Sequence, residues 1–248
     1  DLVALGTVAD VAKLHTLNRA YVTQGLKVMG ARSNLGLSAL VEAARLTKDP
    51  TCRDLGWALG PRINAGGRVG KSDLGVRLLT TTCPEEARTI AAELDRLNQE
   101  RQAIEQIVLE EAGAQAEQQA SDPVIIAAGS GWHPGVIGIV AGRIKEKFGR
   151  PAIVIAEDET GPGKGSGRSI SGVDLGAAVL AAKDSGLLIA GGGHAMAAGL
   201  TVAPGGLEPL RAFLHERMAA HVERAREGRS LLLDTMCAPR GVAAGLCD

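Results

Sequence analysis

Aromatic side chains are nearly absent from this chain of 248 residues: Tyr21, Trp57, Trp132, Phe148 and Phe213 are the whole supply. A groove that stacks successive bases on a row of rings is therefore not expected. Cys52, Cys83, Cys237 and Cys247 are scattered and form no CxxC pair, which argues against a zinc site or a disulfide framework and fits the free thiols of a cytoplasmic protein. No apolar run approaches the roughly 18 residues of a membrane span. The longest candidate, residues 136–141, is soon followed by Arg143, and nothing resembles a signal peptide. The formal net charge of -1 gives no global attraction to nucleic acid, so any phosphate contact must come from a local basic surface.

What the chain has in quantity is glycine, 33 residues, within an ordinary globular composition of 45% hydrophobic and 22% charged residues. The densest run is Gly191-Gly192-Gly193-His194-Ala195-Met196-Ala197-Ala198-Gly199. Consecutive glycines allow a ligand such as phosphate to lie directly on main-chain N–H groups. Residues 187–190 read as a strand leading in and 198–202 as a strand leading out, so the glycines and His194 are expected on a loop at a sheet end. A tight turn followed by a core histidine would leave the same letters.

In chain order, residues 1–9 are rich in Val and Leu and read as a strand of a mostly parallel sheet, with Asp10 at its C-terminal end. A carboxylate there suits a hard divalent cation, although a turn aspartate is the plainer reading. Residues 17–29 and 35–46 read as packing helices, the second capped by Asn34. Residues 61–68 combine Arg62, Asn64 and Arg68 with Gly66 and Gly67, which predicts a loop whose guanidiniums fork onto phosphates, or simply a solvated basic loop. Residues 84–118 keep apolar side chains every three or four positions and predict one helix about 50 Å long. Such a rod bridges two units or seams a dimer, and Arg101 on its apolar stripe weakens the second option.

Beyond residue 121 strands and helices alternate, an α/β layer pattern with its own core. Strands are expected at 124–128 and 152–156, with helices at 134–148, 174–183 and 207–226. Trp132 and His133 open the first of these helices, where free N–H groups favour an anion, unless they only pack its entry. Gly161-Pro162-Gly163-Lys164-Gly165-Ser166-Gly167-Arg168-Ser169 fails as a nucleotide-triphosphate loop, because Asp158 and Gly165 stand where a glycine and a hydroxyl are required. No GxGxxG occurs either. Ser166, Arg168 and Ser169 still offer phosphate donors. Residues 231–234 read as the first strand of a further domain.

The glycine-histidine run resembles that of the DHHA1 domain, the accessory domain of DHH phosphoesterases. Four more stretches, at 1–10, 59–68, 132–138 and 165–169, follow in family order, and the chain is similar to the RecJ branch of that superfamily. The resemblance implies an α/β fold: the end of a DHH-type, mostly parallel sheet domain (1–82), a long interdomain helix (83–120), a DHHA1-type nucleic-acid-binding domain (121–228) and the truncated start of an OB-like domain (229–248). It implies metal-dependent 5′ to 3′ exonuclease action on single-stranded DNA in repair and recombination, with two Mn²⁺ or Mg²⁺ ions. Asp10 is then a catalytic metal ligand. Arg62, Asn64, Arg68, Trp132, His133, Ser166, Arg168, Ser169, Gly191, Gly192, Gly193 and His194 form the substrate surface. The family's Asp-His-His signature precedes the point where this chain opens, so a fragment is expected, inactive alone. The alternatives are a small DHH phosphoesterase acting on short oligonucleotides or nucleotide phosphates, and a noncatalytic nucleic-acid-binding or partner-binding module.

Overall fold

Residues 1–9 are a helix, α1 (Leu2–Ala9), and not a strand. Half of the helix is Leu and Ala, strong helix formers, and Asp1 caps it by accepting from the Leu2 N–H at 2.6 Å. Ala4 and Leu5 are buried against α2 (Thr16–Gly30), where a Cβ on Gly25 would stand 2.4 Å from the Ala4 methyl. The computed structural model describes residues 1–158, 161–228 and 236; the strand expected at 231–234 and nearly all of 229–248 lie outside the described residues.

Helix α3 (Leu35–Ala43) begins, as expected, on Asn34, whose side chain accepts from the Leu37 N–H at 2.9 Å. A short helix α4 (Cys52–Asp54) runs through a π-helical turn (Leu55–Leu59) into α5 (Gly60–Val69). The basic segment at 61–68 is therefore helical, which corrects the loop reading. Pro61 occupies the first turn, where its missing N–H costs nothing. Gly66 lets α5 close on its neighbours, since a Cβ there would sit 3.0 Å from the Lys71 carbonyl and 3.2 Å from Leu94. Helix α6 (Leu74–Thr80) completes this layer.

Helix α7 (Pro84–Gln118) is the long rod that the periodicity predicts. Its N-terminal half buries Ala87, Ile90, Leu94 and Leu97 in the helical core with Leu40, Leu55, Leu59 and Leu78. Its C-terminal half buries Val108, Ala112 and Ala116 in a different core. One helix thus serves two cores, and between them its buried face carries Asn98, Arg101 and Glu105.

The rest is one five-stranded sheet: β1 (Ile125–Ser130), β2 (Ala152–Glu157), β3 (Gly163–Arg168), β4 (Ala190–His194) and β5 (Ala197–Val202), in the order β1-β2-β3-β5-β4. Only β1 and β2 are parallel, joined by α8 (Pro134–Phe148); every other pair is antiparallel. Alternate residues of β1 and β2 face opposite cores. Ile125, Ala127, Ala152 and Val154 meet α7 and α8. Ile126, Ile153 and Ile155 meet α9 (Leu175–Asp184) and α10 (Leu207–Glu227). The glycine run is itself the edge strand β4, turning at Ala195 and Met196 into β5, so the expected loop is a hairpin.

Candidate nucleic-acid interface

Strand β3 reads Gly-Lys-Gly-Ser-Gly-Arg, and the period of two sorts it between faces. Its glycines face the α9 side, where Cβ atoms on Gly165 and Gly167 would stand 2.8 Å from Leu200 and 2.7 Å from Leu175. Lys164, Ser166 and Arg168 therefore share the opposite face, the one that α8 partly covers. Arg168 donates to Ser166 Oγ at 3.1 Å and to the Gly167 carbonyl at 2.9 Å. Among the described residues it makes no ion pair, and burial pushes its guanidinium below the ordinary arginine pKa. Gly138 of α8 provides the room, since a Cβ there would lie 2.9 Å from Ser166 Oγ and 3.0 Å from the Arg168 guanidinium.

Beyond α8 this face is bare main chain. Ser166 pairs with Gly199 and Gly199 with Gly192, and a Cβ on either glycine would meet nothing within 4 Å. Arg168 pairs with Ala197, which in turn pairs with exposed His194. The Met196 N–H donates to His194 Nδ1 at 3.3 Å. Lys164 Nζ reaches Thr201 Oγ1 at 3.3 Å. One sheet face thus gathers a guanidinium, an ammonium, two hydroxyls and an imidazole around a glycine floor that a polyanion can approach closely. Lys164 belongs to this set by strand alternation, a period-of-two signal that the sequence carries at 163–168.

The neighbouring glycines have other work. Gly191 packs on Val179, and a Cβ on Gly193 would be 2.3 Å from the Ala197 carbonyl oxygen. Helix α9 presses Gly176 against the backbone of Gly193 and His194.

A second group lies where α5 meets α8. Exposed Arg68 donates from Nη1 to the Gly135 carbonyl at 3.0 Å, and exposed Asn64 lies one turn before it on α5. His133 caps α8, its Nδ1 accepting from the Gly135 N–H at 3.0 Å. Three residues expected on the surface instead hold the fold. Arg62 pairs with Asp95 at 2.8 Å and donates to the Ala58 carbonyl at 2.8 Å, bracing α5 on α7. Trp132 is 5% exposed, its ring against Gly129 and its N–H donating to Glu111 at 2.6 Å. Ser169 is buried and donates to the Val173 carbonyl at 2.8 Å.

Asp10 is the exposed C-cap of α1, in a hollow of about 300 Å³ with Gly60, Ile63 and Asn64. A carboxylate there faces the negative end of the helix dipole, so its placement does not serve stability. Among the described residues no three His, Cys, Asp or Glu side chains gather where they could hold a metal ion. Asp10 belongs to no such group, and a single carboxylate is too few for a metal centre.

A family model described as the DHHA1 domain matches residues 121–220, the stretch that contains the whole sheet face. The single-stranded-DNA-specific exonuclease RecJ of Escherichia coli (strain K12) is 44% identical over 211 residues, 82% of this chain. The chain is RecJ-like. The protein of the same description from Bacillus subtilis (strain 168) is 40% identical over 219 residues, 87% of the RecJ-like chain. The crystal structure of RecJ in complex with Mg²⁺ from Thermus thermophilus superposes with a TM-score of 0.79 at 36% identity, covering 88% of this chain and 33% of that one. A Mn²⁺ complex of the same protein gives 0.78. The RecJ-like chain spans only 28% and 37% of the length of the Bacillus and Escherichia relatives. Its mixed α/β architecture is that of the RecJ structures. Among the described residues no helix is long and apolar enough to cross a membrane.

Proposed function

We propose that this chain is the strand-gripping part of a RecJ-like exonuclease that removes nucleotides from single-stranded DNA in the 5′ to 3′ direction during repair and recombination in the cytoplasm. The observation that carries the reading is Arg168, an arginine without a carboxylate partner among the described residues, set beside the bare backbone of Gly199 and Gly192. A strand lying on this face would place phosphates on Arg168, Ser166 and Lys164, with the glycine floor admitting the backbone and His194 at the rim. Asn64, Arg68 and His133 extend the contact toward Asp10, which would supply one ligand to the Mn²⁺ or Mg²⁺ that such enzymes use. We further propose that residues 83–120 connect two domains, with the nucleic-acid-binding one at 121–228. Unpaired Cys52 and Cys83 fit the cytoplasmic location.

The test is fluorescence anisotropy of a labelled oligothymidylate titrated with the chain and with Arg168→Ala. Losing a charge-assisted phosphate contact should weaken binding about tenfold and reduce the slope of log K against log salt by about 0.7. Unchanged affinity and slope would remove this face from the strand's path.

A further inference from the structure

A second basic cleft, of about 460 Å³, lies where α5, α7 and α8 converge, at the side of α8 that faces α7. Three arginines line it, one from each helix: Arg68, Arg101 and Arg143. Among the described residues Glu105 is its sole carboxylate, held by Arg101 and, at 2.6 Å, by Arg143. The lining therefore keeps two positive charges in excess.

Arg101 is the informative member. It is nine-tenths buried, yet its Nε–H has no hydrogen-bond partner among the described residues. That donor is closed off from the cleft, and the other two nitrogens bond Glu105 and Asn98, so Arg101 acts on the cleft through its charge while Arg68 and Arg143 are exposed to it. Trp57 also lines the cleft and is 81% exposed, the most exposed ring in a chain with very few. A large apolar ring held in water beside guanidiniums is the combination that takes a base on the ring and its phosphate on the cations.

We infer that this cleft binds one nucleotide unit, its base stacked on Trp57 and its phosphate held by Arg68 and Arg143, with the buried charge of Arg101 behind them. The occupant is a nucleotide of the single strand whose neighbouring phosphates lie on the β3 face. That assignment of the source rests on the proposed function; the base-and-phosphate chemistry does not. The cleft volume falls within the ~300–1,000 Å³ typical of small-ligand sites.

The test uses tryptophan fluorescence of the full chain, titrated in separate arms with oligothymidylate and with thymidine 5′-monophosphate. Trp132 is buried with its N–H bonded, so quenching reports on Trp57, and Trp57→Ala assigns the signal. The expected result is quenching by the oligonucleotide, abolished in Trp57→Ala and shifted to about tenfold higher concentration in Arg143→Ala. Arg143 is exposed on α8, so that variant keeps the test valid where changes at the buried Arg101 would perturb folding. Quenching by the monophosphate alone would support the nucleotide chemistry and overturn the strand as its source. Oligonucleotide binding seen by anisotropy and weakened in Arg168→Ala, but without quenching, would overturn the cleft and leave the proposed function standing. No binding in either assay would overturn both.

Discussion

Arg168 and Arg62 show how the same residue type is put to opposite uses by its surroundings. Arg62 meets Asp95 and becomes a strut between helices. Arg168 meets only a hydroxyl and a carbonyl under α8, so its charge remains available. Gly138 sets that geometry, which makes Gly138→Ala informative. The added methyl would displace the guanidinium, the far end of a flexible side chain, while the helix itself gains about 0.5–1 kcal/mol of propensity. Weaker oligonucleotide binding with an unchanged or slightly higher urea midpoint is expected. Asp10→Asn belongs at the same scale: removing a charge from the negative end of α1 should raise stability by about a few tenths of a kcal/mol in denaturant titrations. A loss of stability would instead mean that the carboxylate has a structural partner.

Among the elements, α7 has the most to accommodate. Its middle turns bury Arg101 and Glu105, and a buried ion pair is costly chiefly when one member is removed. Glu105→Leu should destabilise the chain by about 3–5 kcal/mol, and adding Arg101→Met should restore most of the loss in the same urea titration. Full destabilisation in the double variant would show that packing around the pair, not charge, dominates. Helix α3 is seated equally tightly: a Cβ on Gly36 would fall 1.8 Å from the Leu78 carbonyl oxygen, which is backbone and cannot swing away. Gly36→Ala should cost at least the upper part of the ~1–3 kcal/mol range for overpacking. The expected strand at 1–9 and loop at 61–68 both failed as elements, for different reasons. At 1–9 the Leu and Ala content and the Asp1 cap are local helix signals that the apolar run masked, whereas the packing of Gly66 against Leu94 is a long-range contact that composition does not contain.

For the whole molecule, a net charge of -1 means that binding depends on where cations lie and not on how many there are. If the strand meets Lys164 and Arg168 on the sheet and places one phosphate in the cleft beyond α8, about three phosphates are neutralised. The slope of log K against log salt should then be about -2 for a single strand. A slope near zero would mean that the basic groups on these faces do not meet phosphate. Mn²⁺-dependent release of mononucleotides by this chain alone should not exceed background, because Asp10 joins no group of three or more metal-ligating side chains among the described residues. Release abolished by Asp10→Ala would reveal ligands outside that set.

The sequence by itself determined the period of α7, the Asn34 cap, the α/β alternation after residue 121 and the small polar residues of the sheet face, because each depends on neighbours within a few positions. Five separated motifs also carried the family resemblance. Only the tertiary structure decided which of those residues face solvent. Arg62 and Trp132 found partners on α7, Ser169 turned inward onto the Val173 carbonyl, and Arg168, Gly199 and Gly192 came together from three strands. The physical reason is that a polar side chain becomes a binding group or a brace according to what packs against it, and that partner can lie anywhere along the chain.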